Sequence, residues 1–148
     1  MRVLVFALVT GFLFMAEQTH ATDQDAEETL RAWADAYDAR DGEKSAAVYA
    51  QDARLWGTVS QKQTVGRDAI RGYFDAGKTL TARHVEIGEH ACRAFETVAV
   101  CSGHYTFQRT PQEGAAQNDP ARFSMTIVKR DGRWEIADHH SSLLPAQR

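Results

Sequence analysis

The chain has 148 residues, with 17 Lys and Arg against 20 Asp and Glu, a net charge of −3 and a 43% hydrophobic fraction. That length fits one domain, and the apolar content excludes a wholly disordered chain. No cluster of Lys and Arg stands out, so no nucleic-acid partner is expected.

Met1 and Arg2 precede fourteen mostly apolar residues, Val3 to Ala16, and then a short polar stretch ending in the small residue Ala21. This order of positive, apolar and cleavable regions reads as a secretory signal over residues 1–21. Such a run rises only about 21 Å as a helix, short of a hydrocarbon core of about 30 Å. A core helix and an uncleaved anchor are the other readings. Residues 22–148 are then a single domain, periplasmic or secreted, with no membrane contact once the signal is removed.

Residues 22–41 carry Ala26, Leu30, Trp33, Ala34 and Tyr37 at spacings of three and four, which predicts a helix with these on one face. Asp25, Glu27 and Glu28 suit its first turns, and Asp41-Gly42 ends it. A short second helix is expected over 43–50, a turn at Gln51-Asp52 and a strand over 53–59. Gly66-Arg67-Asp68 opens a third helix, with Ile70, Tyr73 and Phe74 on its apolar side and Gly77 as its stop. Residues 84–95, 98–109, 121–130 and 134–141 are rich in Val, Ile, Phe, Tyr and Thr and read as strands. Residues 110–120, polar with two Pro and one Gly, read as a mobile loop. Helices first and strands later predict an α+β fold with a mainly antiparallel sheet, not a doubly wound one. Trp33, Tyr37, Tyr49, Trp56 and Tyr73 are expected in the core, and some of them on a pocket wall.

Asp131-Gly132 between apolar runs signals a two-residue hairpin turn. Pairing outward from it sets Lys129 opposite Trp134, Ile127 opposite Ile136, Met125 opposite Asp138 and Phe123 opposite His140; direct partners share a face. The core face then holds Phe123, Met125, Ile127, Trp134 and Ile136, with Asp138 and His140 as polar exceptions. Arg122, Ser124, Thr126, Val128, Glu135, Ala137, His139 and Ser141 fall on the other face. Two polar groups on an apolar face must be paired, hydrated or bound to a ligand. Asp138 and His140 are either a pair that pins the last strand or a carboxylate orienting a pocket imidazole. A bulged turn at Gly132 would break this register.

A second turn at Glu96-Thr97 places Cys92 opposite Cys101 as a non-hydrogen-bonded pair, with Cα atoms about 4.5 Å apart. In an oxidising compartment this predicts a Cys92–Cys101 disulfide, with two buried free thiols as the alternative. The same hairpin puts Ala99, Cys101, Gly103, Tyr105 and Phe107 on one face and His104 on the other.

There is no P-loop, no Gly-x-Gly-x-x-Gly, no Gly-x-Ser-x-Gly and no His-Glu-x-x-His pattern. Cys-x-x-Cys spacing is missing, and His139 and His140 point to opposite faces of a strand. A metal would need distant ligands such as His84 or His90, so neither a metal nor a nucleotide cofactor is expected.

Trp33-Ala-Asp-Ala-Tyr37, Arg40-Asp-Gly42 and Val48-Tyr-Ala-Gln-Asp-Ala-Arg-Leu-Trp-Gly-Thr-Val-Ser60 resemble SnoaL-like proteins of the nuclear transport factor 2-like superfamily. Gly66-Arg-Asp-Ala-Ile-Arg-Gly-Tyr-Phe74 matches their third helix. Gly132-Arg-Trp-Glu-Ile-Ala-Asp-His-His-Ser-Ser142 with Pro145 is similar to the last strand of bacterial proteins, some of SgcJ/EcaC type, that look like the association domain of calcium/calmodulin-dependent protein kinase II. The resemblance spans about residues 25–146. It implies a cystatin-like, cone-shaped α+β barrel, with three N-terminal helices packed on a curved sheet around a pocket. It also implies homo-oligomers, dimers or larger, formed through the outer sheet face. The pocket of the association domain that the chain resembles takes small carboxylates through arginines, but the positions here are Tyr105 and Met125, so the resemblance implies a more apolar ligand. The superfamily's isomerases and dehydratases use Asp/His or Asp/Tyr sets.

Three readings follow. In the first, an exported domain binds a small apolar or weakly polar molecule between Trp33, Trp56, Tyr105, Phe123 and Met125, with Asp138 and His140 as its polar anchor. In the second, an enzyme transfers protons with His140 as general acid or base and Asp138 orienting it. In the third, a structural module associates without a ligand.

Overall fold

The computed structural model describes residues 21–145, so the signal reading of residues 1–21 lies, Ala21 apart, outside the described residues. The first helix, α1 (Asp23–Asp38), starts on a capping box. The Asp25 amide donates to the Thr22 hydroxyl at 3.1 Å and the Thr22 amide to the Asp25 carboxylate at 2.9 Å. Its buried stripe of Ala26, Leu30, Trp33, Ala34 and Tyr37 is the one the spacing predicts. The helix stops before Asp41-Gly42 because Arg40 takes a left-handed φ of 54°.

Asp41 caps the short α2 (Gly42–Ala47) by accepting from the Glu43 and Lys44 amides. The helix does not reach residue 50: the Val48 carbonyl accepts from the Ile136 amide at 2.9 Å, and β1 (Tyr49–Trp56) begins there. A two-residue strand, β2 (Thr64–Val65), leads into α3 (Arg67–Asp75), which buries Ile70 and Phe74. After a 3-10 turn come β3 (Leu80–Phe95), β4 (Val98–Pro111), β5 (Gln117–Arg130) and β6 (Arg133–Leu143).

These strands form one curved six-stranded sheet in the order β2-β1-β6-β5-β4-β3. All neighbours are antiparallel except β1 and β6. The sheet does not close on itself, so the expected barrel is an open half-cone with β2 and β3 as its edges. The region read as a mobile loop, 110–120, is mostly strand, because β4 and β5 continue as a paired ribbon to Arg109↔Gln117. The Arg109 Nε donates to Asp119 at 2.9 Å and ties the ribbon's end.

Both predicted turns form. Asp131 and Gly132 take φ of 50° and 77°, which a two-residue primed turn requires, and Lys129↔Trp134 and Ile127↔Ile136 pair as expected. Beyond Ile136 the register changes. Thr126 pairs with Asp138, Met125 with His139 and Phe123 with Ser141, so Ala137 is an extra residue in β6. One inserted residue exchanges the faces of every later side chain. His139 and Ser141 therefore turn inward and are buried. Asp138 and His140 lie on the outer face, which corrects the expected core-facing pair.

Cys92 pairs with Cys101 in the predicted register, and the two form a disulfide with Cα atoms 4.1 Å apart. The bond closes a loop of sequence separation 9. A loop that short constrains the unfolded chain by about 2–3 kcal/mol. Reduction followed by urea unfolding should therefore lower stability by about that amount while leaving the far-ultraviolet circular dichroism unchanged; unaltered stability would show that the hairpin needs no crosslink.

Candidate functional site

Trp33 on α1 reaches the concave face of the sheet, where it is 1% exposed. Its ring stacks on Tyr105 at 5.5 Å and meets His139 edge-on at 5.1 Å. Tyr105 in turn stacks on Phe123 at 4.7 Å and contacts Phe107 at 4.6 Å. Around this stack lies a cavity of about 80 Å³, open on one side, walled by Trp33, Tyr37, Leu55, Tyr73, Phe74, Tyr105 and Phe107. At about 10–15 Å³ for each water-sized occupant, the space suits roughly one ring.

Its polar groups come from three places. His139 and Ser141 project from β6 because of the Ala137 insertion. Thr58 follows β1, and its hydroxyl lies 2.6 Å from that of Ser141. Arg109 and Asp119 stand on the cavity wall and pair with each other across the β4–β5 ribbon. Gly57 also lines the cavity, and a Cβ there would lie 2.3 Å from the Tyr73 hydroxyl, so no larger residue fits without moving that ring.

His139 is bracketed. The Tyr49 hydroxyl lies 2.8 Å from its Nδ1 and the Tyr105 hydroxyl 3.3 Å from its Nε2. Burial, reinforced by neighbouring His140, pushes its pKa down to about 3, so the ring is neutral at physiological pH. A neutral imidazole has one N–H, so one tyrosine donates to the ring and the other accepts from it. Burial raises the Tyr49 and Tyr105 hydroxyls, and lifts Tyr37 to about 12. Tyr73 is raised by burial as well. The cavity thus offers uncharged hydroxyls and ring faces, and its one ion pair is internally neutralised. The buried Trp33 indole N–H sits near the Tyr49 hydroxyl but outside hydrogen-bond geometry.

Of the residues the sequence proposes for a site, Trp33 and Tyr105 line the cavity. Phe123 and Met125 are buried behind it, the first stacked on Tyr105 and the second opposite His139. Trp56 is 38% exposed, because Leu55 takes the inward position on β1. Asp138 and His140 are on the far side of the sheet. Sequence reasoning missed His139, Ser141, Thr58 and the Arg109–Asp119 pair. The Ala137 insertion leaves no composition signal, since either register puts two polar residues inside. Among the described residues no group of His, Cys, Asp and Glu could hold a metal.

The unfolded chain binds a proton on His139 as pH falls through the ordinary 6.5, while the folded ring stays neutral to about 3. Stability present above pH 6.5 is therefore lost on acidification, by roughly 1 kcal/mol per pH unit well below 6.5. His90 acts in the opposite sense: the Gly88 carbonyl and Glu27 raise its pKa, so its contribution is present at low pH and lost as pH rises. That contribution is common to the wild type and His139→Gln. The urea midpoint should thus fall more steeply between about pH 7 and about pH 4.5 for the wild type than for the variant. Parallel slopes would contradict a buried neutral ring.

Residues 5–145 match the family model described as the calcium/calmodulin dependent protein kinase II association domain. A structure from Xanthomonas campestris described as such an association domain is 31% identical, with a TM-score of 0.77, and the match covers 84% of this chain and 89% of that one. A protein from Novosphingobium aromaticivorans described as nuclear transport factor 2-like with a cystatin-like fold is 16% identical, with a TM-score of 0.72 over 84% of this chain and 82% of that one. A second protein from that organism, described as a scytalone dehydratase, is 17% identical, with a TM-score of 0.75 over 82% and 83% of the two chains. The last two share the fold alone. No curated protein matches the chain.

Proposed function

This chain belongs to the calcium/calmodulin-dependent protein kinase II association domain family, and from that premise we propose that it is an exported, self-associating domain that binds a small uncharged ring compound in the Trp33–Tyr105–His139 cavity. The observation that carries the ligand class is the neutral His139, with both ring nitrogens engaged by tyrosines, in a cavity whose one cation, Arg109, is matched by Asp119. A ligand carboxylate would have to displace Asp119 or lie unpaired against ring faces, which costs several kcal/mol. A ring with one hydroxyl or carbonyl can instead stack on Trp33 or Tyr105 and reach the Ser141–Thr58 hydroxyls.

The proton-transfer reading has less support. His139 lacks a carboxylate partner and resists protonation, and the Asp138 and His140 side chains do not share its face. Self-association is supported by the family's description and by Trp56 and Val100, each 38% exposed on the outer sheet face. Export is supported by the Cys92–Cys101 disulfide, a bond that persists in oxidising compartments.

Titration with p-cresol and with benzoate, followed by Trp fluorescence, tests the ligand class. The phenol should bind and benzoate should not. Ser141→Ala should weaken the phenol about 3- to 10-fold, the share of one hydrogen bond. Asp119→Asn should admit benzoate by freeing Arg109. Benzoate binding to the wild type as tightly as p-cresol, or binding by neither, would overturn the reading.

A further inference from the structure

We propose that the Trp33 indole fixes the direction of a hydrogen-bonded relay, Tyr49–His139–Tyr105–Ser141–Thr58, that ends in a hydroxyl donor on the cavity wall, so that the site selects ring compounds bearing a hydrogen-bond acceptor, such as an aryl ketone. This deepens the cavity reading and rests on it. The groups form a file from the core outward. Tyr49, at one end, is fully buried, and Thr58, at the other, is half-buried. The Tyr49 hydroxyl lies 2.8 Å from His139 Nδ1, and His139 Nε2 lies 3.3 Å from the Tyr105 hydroxyl. Ser141 neighbours the Tyr105 hydroxyl and stands 2.6 Å from that of Thr58. His139, Tyr105, Ser141 and Thr58 all line the cavity.

Counting donors against acceptors sets the direction. An indole N–H only donates. That of Trp33 is buried, lacks a partner within hydrogen-bond geometry and sits beside the Tyr49 hydroxyl, so the Tyr49 oxygen turns its lone pairs toward it. If His139 Nδ1 carried a proton as well, two N–H groups would face that oxygen. The Tyr49 O–H would then be stranded, because His139 is the only acceptor bonded to it among the described residues. A buried O–H without an acceptor is the costly arrangement. Tyr49 therefore donates to Nδ1, and the neutral ring carries its one proton on Nε2. Nε2 donates to the Tyr105 oxygen, and Tyr105 donates onward to the Ser141 hydroxyl beside it. Ser141 and Thr58 share one hydrogen bond, and whichever of them donates in it, a hydroxyl hydrogen remains for the cavity. A carbonyl oxygen meets that hydrogen, and a hydrocarbon of the same shape does not. A phenol oxygen also accepts, so p-cresol obeys the same rule.

The test has two parts. In the ligand-free protein, imidazole 15N shifts read the His139 tautomer, with its signals assigned by their loss in His139→Gln; Nε2 protonated and Nδ1 bare is the expected result. Acetophenone and α-methylstyrene, the same skeleton with =CH2 in place of the oxygen, are then titrated by calorimetry. Thr58→Val combined with Ser141→Ala should weaken acetophenone about tenfold and leave α-methylstyrene no weaker. An unchanged amide spectrum of the double variant verifies its fold. The carbonyl stretch of bound 13C-labelled acetophenone should lie below its frequency in hexane, as a hydrogen-bonded carbonyl does. A protonated Nδ1 beside a bare Nε2 overturns the direction of the relay. The expected tautomer with both ligands weakened alike, or with the carbonyl stretch at its hexane value, overturns the acceptor rule and leaves the cavity reading standing. If no ring compound binds, p-cresol included, the cavity reading falls and takes the ligand class with it, while the tautomer still decides the relay.

Discussion

A single extra residue, Ala137, decides what the last strand gives to the inside of this protein. Strand side chains alternate, so the insertion exchanges the faces of His139 and His140 and of every residue beyond them. The adjacent histidines then live in opposite environments. One is sealed between Tyr49, Tyr105 and Trp33. The other stands at the surface beside Arg122, Ser124 and Ser142.

The inner environment is governed by the energetics of charge in an apolar space. Ionising His139 there would leave a cation without a carboxylate, so burial keeps the ring neutral. The tyrosines around it are likewise held as neutral hydroxyls. Polar groups in such a space must satisfy one another, and the Tyr49–His139–Tyr105 and Thr58–Ser141 contacts do so. Elsewhere, buried charge is matched directly: Glu135 accepts from Arg67 at 2.9 Å and ties α3 to the sheet. Arg83, also buried, donates to the backbone carbonyls of Tyr37 and Phe74 near the ends of α1 and α3 and lies 4.4 Å over the Tyr37 ring. The cavity therefore sits in a frame whose ionic groups are already committed.

The architecture was legible in the sequence where local rules decide it. The start of α1 and its apolar stripe, the Asp131-Gly132 turn and the Cys92–Cys101 pairing all follow from short-range chemistry, and all are present. The end of the β4–β5 ribbon was less legible, because Pro111, Gly114 and Pro120 read as loop while the Arg109–Asp119 ion pair that holds the strands together acts across the hairpin. The site was the least legible part. Its composition is nearly the same in either register, His with Asp or His with Ser, and no local residue pattern marks the insertion. Trp56 was misplaced for a related reason: β1 changes register against β6 between Tyr49 and Arg54, so counting along the strand does not fix its face.

Because the register decides which of the two histidines is buried, the imidazole 15N shifts of His139 across a pH titration are the most direct measure of the Ala137 insertion. His139 should keep one protonated and one bare ring nitrogen throughout the neutral and mildly acidic range. A His139 that becomes an imidazolium in that range would contradict the buried neutral ring and restore the uninterrupted strand pairing.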